Sequence, residues 1–466
     1  MDGDTDLQFV SVAQGGLGHE GSTLAHAMAW FQDHLYLGTT APRGASPTDA
    51  GRILRFDPKS ESWETAHSAP VIETNEEILA RLDAQNETLG GKDLAGLTGV
   101  THPTGLAREY GIRALQIFKG KSDPHPCLYA GTMSLFGGGI LRSEDGVSFE
   151  PVLGTGRHDD SILSFRGLVE FKGRLYTAPA GTATRDKADP NFAPEAMVYV
   201  SDDPAKGAES WAPVCEPAFG DPVNRSVFAL GVAHGYLYAG TASWTRGFQL
   251  WRTDGKGKGL HKWERVLTDG AYRFNHNFSV ATLCAFDGDM YVGSGISGLG
   301  YDKAHDVGPA TAELIRVKPD GSWDLLVGDL RCTPDGLKVP LSAMGPGFDD
   351  PYNSVMWSMT VHEDALYVGT QQWEPFDTAL HGDGSPLTGG YQLWRSRNGG
   401  DWEKVIDAAL GRVSATGLRS MQSTPAGLFL GTSVHPKLLR ILSRKSGAVT
   451  PALNADKNGF EVLLGS

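Results

Sequence analysis

The 466-residue chain carries 41 Lys and Arg against 55 Asp and Glu, a formal charge of −14. That balance excludes nucleic acid or an anionic membrane surface as the main partner, because both are held by a basic footprint. With 40% hydrophobic residues, 60 Gly, 26 Pro and 11 Trp the composition excludes disorder, and no apolar run approaches the roughly 18 residues of a membrane span.

The first segment, Met1-Asp2-Gly3-Asp4-Thr5-Asp6, is acidic where a secretory signal is basic and then apolar, so a cytoplasmic protein is expected. Next comes Phe9-Val10-Ser11-Val12, an aromatic-x-x-Val strand. Ala25-His26-Ala27-Met28 then opens a pattern that recurs as Ile112-Arg113-Ala114-Leu115, Phe165-Arg166-Gly167-Leu168, Val227-Phe228-Ala229-Leu230, Val280-Ala281-Thr282-Leu283, Met356-Trp357-Ser358-Met359 and Leu418-Arg419-Ser420-Met421, its third position always small. Each copy precedes a strand of the form Leu-Tyr-x-Gly-Thr, as in Leu35-Tyr36-Leu37-Gly38-Thr39 and Leu366-Tyr367-Val368-Gly369-Thr370. A third strand ends near an Arg (Arg142, Arg252, Arg395), and a fourth begins at Trp63, Phe149, Trp211, Trp263, Trp323 or Trp402.

Seven units of four short antiparallel strands, each too small to bury a core alone, predict an all-β, seven-bladed β-propeller filling residues 1–466 as one domain. The seventh unit lacks its fourth strand where expected, since Arg440 is followed by a Ser/Gly/Asn-rich stretch. Phe9–Val12 supplies the missing pattern and is expected to close the ring, which removes an open sheet edge; Phe460-Glu461-Val462-Leu463 is the rival for that slot. The four cysteines, Cys127, Cys215, Cys284 and Cys332, show no metal-binding spacing and are expected as free, mostly buried thiols.

Two turns, Ser143-Glu144-Asp145-Gly146-Val147-Ser148-Phe149 and Ser396-Arg397-Asn398-Gly399-Gly400-Asp401-Trp402, resemble the Asp-box turn of sialidase-like propellers, a structural signature in which Asp or Asn caps a tight turn. The framework of Leu-Tyr-x-Gly-Thr, Gln-Leu-Trp-Arg-Ser and aromatic-x-x-Val is similar, over most of residues 9–443, to the propeller half of the cyanobacterial alkylating enzymes that join alkyl chlorides to resorcinols in cylindrocyclophane assembly. The resemblance implies a propeller of specialised metabolism and assigns no catalytic residue.

The long connections, 68–110 with a helix-like stretch from Glu76 to Leu89, 179–195, 295–311, 328–352 and 371–389, all fall on the face where the inner strands begin, so the site is expected there, over the central channel. Along the inner strand the second position reads His26, Arg113, Arg166, Phe228, Ala281, Trp357 and Arg419, whereas the fourth is uniformly Leu or Met. Three guanidiniums converging on a funnel suit a carboxylate, phosphate or sulfate; alternatively a blade carboxylate such as Asp160 or Asp350 pins each one. Acidic residues at His158-Asp159-Asp160 and Asp349-Asp350, with Asp221 and Asn275 in related places, precede the same strands, as do Asn275-His276-Asn277 and Tyr352-Asn353. Trp244 and Trp373 project from loops where an indole stacks on a flat ligand or fastens its own loop.

The candidates for acid–base work are thus His26, Asp160, Asp350 and Tyr352. Those for holding the substrate are Arg113, Arg166, Arg419, Trp357, Trp244, Trp373, His276, Asn277 and Asn353. No metal site and no cofactor is assigned. The expectation is a soluble propeller enzyme with one pocket for a small anionic or aromatic metabolite, since the rim residues differ from blade to blade. The alternative is a non-enzymatic ligand- or carbohydrate-binding propeller or an interaction scaffold.

Overall fold

The strand pairings sort the chain into repeated antiparallel meanders. The computed structural model describes residues 7–19, 21–41, 49–73, 76, 105–134, 136–153, 162–184, 187–189, 191–296, 300–301, 306–381, 387–435, 438 and 459–466. In the first unit Leu24–Phe31 pairs with His34–Thr40, then Arg52–Asp57 and Ser62–Ser68 follow in order. The same four-strand ladder recurs from Gly111–Phe118 to Glu150–Leu153, from Ser164–Phe171 to Ala212–Pro213 and from Ser226–Ala233 to Glu264–Leu267. It continues from Ser279–Phe286 to Trp323–Val327 and from Asn353–His362 to Glu403–Ile406.

The last unit is assembled from both ends of the sequence. Ala415–Thr424 and Gly427–Val434 are followed in the ladder by Val462–Gly465, and Phe9–Ala13 lies outermost. Phe9–Val12 therefore occupies the slot expected of it. The rival segment fills a different one, with Val462 and Leu463 in the third strand. The first strands of successive units pack side by side, and Ala415–Thr424 packs back against Leu24–Phe31, closing a ring. The architecture is an all-β propeller.

The repeated residues follow from how closely neighbouring sheets approach. In Leu-Tyr-x-Gly-Thr, Leu35, Tyr36 and Leu37 are all fully buried, because this strand is covered on both faces by adjacent sheets. A Cβ added to Gly369 would stand 2.6 Å from the Leu418 Cβ, and one on Gly38 would stand 2.8 Å from the Ile112 Cγ2, so the Gly admits the inner strand of the next unit. Directly across the ladder sits the small third residue of the inner strand: Ala27 opposite Gly38, Ser358 opposite Gly369 and Ser420 opposite Gly431. Ser358 and Ser420 also donate to the Leu418 and Ala25 carbonyls of the following units, at 2.9 and 2.7 Å. The hydroxyl after the Gly receives the backbone N–H that opens the third strand, as in Thr39 from Arg52, Thr241 from Gln249 and Thr432 from Glu461.

The turn at Ser143–Phe149 is tied by its own side chains. The Asp145 carboxylate accepts the N–H groups of Val147 and Ser148, and Gly146 donates to the Ser143 hydroxyl. Asn398 and Ser396 do the same for Gly400, Asp401 and Gly399.

In this meander the connections from second to third strand and from fourth to first gather at one end, termed the mouth here. Among them, Val71–Glu73 pairs with Gly105–Ala107 at the base of the 68–110 insertion. Of the helix-like stretch Glu76 to Leu89 only Glu76 lies within the described residues. A helix does form at Glu374–His381 in the 371–389 connection, and a hairpin of Arg331–Thr333 with Gly336–Lys338 in 328–352. The thiols are free, but only Cys127 and Cys215 are buried; Cys284 is half-buried on an inner strand and Cys332 is exposed on the hairpin. The expectation of mostly buried cysteines is corrected accordingly: Cys332 alternates outward with its ladder partner Leu337, while Arg331 turns inward to Glu313.

Candidate functional site

Every inner strand carries an irregularity at the same place, and Asn353–His362 and Ala415–Thr424 each carry a second one nearer their start. The register of the first and second strands shifts between Ala25 and Ala27, between Ile112 and Ala114, and between Phe165 and Gly167. It shifts again at Val227/Ala229, Val280/Thr282, Met356/Ser358 and Leu418/Ser420. The bulged residues are therefore His26, Arg113, Arg166, Phe228, Ala281, Trp357 and Arg419. A bulge leaves its residue out of the ladder and re-aims the side chain. Here it brings His26, Arg113, Arg166 and Arg419 within reach of one another, with Phe228 and Trp357 beside the outer two arginines. Two positions deeper lies the layer of Met28, Leu115, Leu168, Leu230, Leu283, Met359 and Met421, an apolar floor.

The ring is divided. Arg419, His26, Arg113 and Arg166 come from four consecutive units, and Phe228, Ala281 and Trp357 from the remaining three. Both borders are cation–π contacts: the Arg166 guanidinium lies 3.7 Å from the Phe228 ring centre and the Arg419 guanidinium 5.2 Å from that of Trp357.

On the cationic side, Arg113 donates to the Ser164 hydroxyl and to the Asn191 amide oxygen, each at 2.8 Å. Arg166 donates to the same Asn191 oxygen at 3.2 Å and to the Phe228 carbonyl at 3.0 Å. Asn191 is held in turn by Asp189, whose carboxylate accepts the Asn191 and Phe192 N–H groups. Arg419 donates to His26 Nε2 at 2.7 Å. Since Arg can only donate, the His26 proton sits on Nδ1, which faces the Thr40 hydroxyl at 2.7 Å.

Burial and mutual repulsion weaken the hold of these groups on their protons. Burial first, then Arg419, Arg113 and Arg166, keep His26 well below its ordinary value of 6.5, so it is neutral. Burial and Arg113 bring Arg419 down to about 9. Burial brings Arg113 to about 10 against an opposing pull from Tyr110 and Asp189. Arg166 is lowered well below 12.5 by burial, Arg113 and Arg419. Guanidinium charge survives such surroundings, so the cluster stays cationic. Among the described residues neither Arg166 nor Arg419 makes an ion pair. Two guanidiniums sharing one oxygen stand on the order of 5–6 Å apart and repel by roughly 3 kcal/mol at an effective dielectric of ~20.

The other sequence candidates have different partners. Asp160 lies outside the described residues. Asp350 accepts from Gln372, Gln392 and the Tyr352 N–H rather than from an arginine. The Tyr352 phenol donates to Asp377 at 3.2 Å, and its ring meets Trp373 edge-on. Trp373 packs with Phe376, Ala379 and Leu438 and so fastens the helix Glu374–His381. Asn277 and Asn353 are fully buried. Asn277 bonds Gly270, Glu313 and Ser294, and Asn353 bonds Gly347 and Gln392. Asn224 makes the matching clasp with Ala218, Gln249 and Thr241, so three consecutive units share it. His276 is exposed and has no hydrogen bond among the described residues. Trp244 packs against Phe192 with the rings tilted by 39° and their centres 3.8 Å apart, and the Phe192 and Phe228 centres lie 5.4 Å apart, so this loop indole backs the apolar side of the ring. Asn191 was not among the candidates. Its only signal is its place after Asp189-Pro190 in a long connection.

No protein-family model matches this sequence, and no curated protein does. Solved structures similar to it include YCF48 from Cyanidioschyzon merolae, 13% identical, TM-score 0.47, covering 92% of this chain and 99% of that one. A GH74 xyloglucanase from Xanthomonas campestris is 15% identical, TM-score 0.45, with 92% of this chain matching 54% of that one. An alpha-L-arabinanase from Penicillium chrysogenum is 14% identical, TM-score 0.40, covering 79% of this chain and 94% of that one.

Proposed function

We propose that the chain is a seven-bladed β-propeller that binds one small anionic ligand just inside the mouth of its channel. The observation that carries this is the cluster of Arg113, Arg166 and Arg419. Arg166 and Arg419 make no ion pair among the described residues, and Arg166 shares with Arg113 a single neutral amide oxygen, which leaves charge that an incoming carboxylate, phosphate or sulfate would offset. The apolar floor and low local dielectric strengthen that attraction. Because the seven bulge residues differ, one site per chain is favoured over a lectin-like set of equivalent pockets.

Catalysis on the bound anion is the second reading. Guanidiniums fixed in a water-poor site also stabilise negative charge developing on a substrate. His26 argues for binding first, since its Nε2 lone pair is committed to Arg419 and its neighbours oppose protonation.

Titration of the full-length protein with phosphate and with benzoate, alongside Arg166→Met, tests the proposal. Loss of a charge-assisted hydrogen bond is expected to weaken binding roughly ten-fold to a hundred-fold, at a stoichiometry near one. The melting temperature without ligand is expected to hold or rise as repulsion falls. A large drop in melting temperature with unchanged affinity would assign the arginines to the framework instead.

A further inference from the structure

The apolar half of the ring bears on what the ligand is besides an anion. Its members are Phe228, Ala281 and Trp357, from the fourth, fifth and sixth units. Alanine is the smallest of the seven bulged side chains, and it stands between the two aromatic ones. In a seven-membered ring the position of the fifth unit faces the gap between the first and second, where His26 and Arg113 stand. Among the described residues the ring therefore carries its bulky polar side chains on the cationic side and its smallest member opposite.

The walls on either side of Ala281 are fixed. Phe228 is braced by Phe192 at 5.4 Å and edge-on by Phe278 at 5.8 Å. Trp357 lies against Gly417, where a Cβ would come within 2.5 Å of the indole. Each aromatic also carries an arginine on its channel flank, so neither ring can swing in to fill the space without giving up its cation. Beneath Ala281 the floor continues apolar with Leu283, Leu230 and Met359, all half-buried.

We propose, building on the anion-binding reading, that the ligand is a flat organic anion. Its charged group sits among Arg113, Arg166 and Arg419, and an aromatic body lies across the axis over Ala281 between Phe228 and Trp357. A small inorganic anion satisfies the guanidiniums but leaves the apolar half unused. An uncharged sugar can accept hydrogen bonds from the guanidiniums but leaves their charge uncompensated. An aryl carboxylate or aryl phosphate fits both, with ring faces or edges available from Phe228 and Trp357.

The test compares acetate, inorganic phosphate, benzoate and 2-naphthoate on the full-length chain and on Ala281→Leu and Ala281→Trp, with melting temperature recorded for each variant. Binding of the aryl carboxylates about ten-fold to a hundred-fold tighter than acetate is expected for the parent. Ala281→Trp is expected to abolish that advantage while leaving acetate and phosphate affinities within about two-fold, and Ala281→Leu is the milder substitution should the indole prevent folding. If the small anions bind but aryl groups add nothing, or the Ala281 variants leave the aryl preference intact, the inference fails while the anion site stands. If none of the four binds, the anion reading fails and takes the inference with it.

Discussion

Arg419 and His26 meet across the seam between the last and first units, with the guanidinium donating to Nε2 at 2.7 Å. One hydrogen bond thereby fixes an imidazole tautomer and aims a cation, and it joins residues from opposite ends of the sequence. Neutral His26 is the condition for it, since a proton on Nε2 would remove the acceptor and set a fourth positive charge beside three others.

This makes folding sensitive to mild acid. Below its ordinary value of 6.5 the unfolded chain takes up a proton at His26 that the folded chain refuses, because the folded value is held well below 6.5. Stability present above pH 6.5 is therefore lost as pH falls through the interval beneath it. His19, His67 and His261 are lowered too and add to the same slope. Melting temperature is expected to fall between pH 7 and pH 5, and His26→Gln is expected to flatten part of that decline. Parallel profiles for the two proteins would show that His26 does not carry it.

Asn191 decides how much charge the site has left to offer. Its amide oxygen holds two guanidiniums in place without neutralising them. In Asn191→Asp a carboxylate would take the same position and form an internal ion pair. The variant is expected to melt higher, by about 1–3 kcal/mol of added stability, and to bind phosphate and benzoate at least about ten-fold more weakly. Affinities equal to the parent's would place the bound anion away from Arg113 and Arg166.

The seam depends on a strand of five residues. Phe9 covers Gly465 so closely that a Cβ there would strike its ring, and Gln8 and Ser466 exchange backbone hydrogen bonds. Ser11 donates to Glu461, and the Trp63 indole of the first unit donates to the Val12 carbonyl. Deleting residues 1–13 is expected to lower the melting temperature by several degrees and to promote association through the bared edge of Val462–Gly465. A truncated chain that melts like the parent and stays monomeric would show that the strand is dispensable.

Most of the framework was legible because it repeats. Gly38 and its equivalents mark the close approach of sheets, and the bulged ring was visible as one aligned column of residues. What the column could not show was that a register shift occurs at each member, since a bulge leaves no residue signature when its neighbours remain apolar. Asn277 and Asn353 were misleading for a related reason. A short amide before a strand suits a ligand or a clasp equally, and only burial distinguishes them. The third strand of the last unit was obscured by Leu438-Leu439-Arg440, which imitates the Leu-Trp-Arg of other units while Val462–Gly465 takes the place. Asn191 belongs to a connection found in one unit alone, so no comparison between repeats could single it out.

The union of Phe9–Ala13 with Val462–Gly465 also makes closure of the ring a long-range event. Phe9–Ala13 must wait for Val462–Gly465, some 450 positions further along, before it has a partner, while the intervening sheets form from local pairings. Until that pairing forms, an almost finished ring presents two unsatisfied edges. Arg419 and His26 stand on either side of that opening, so the hydrogen bond between them forms only when the ring shuts.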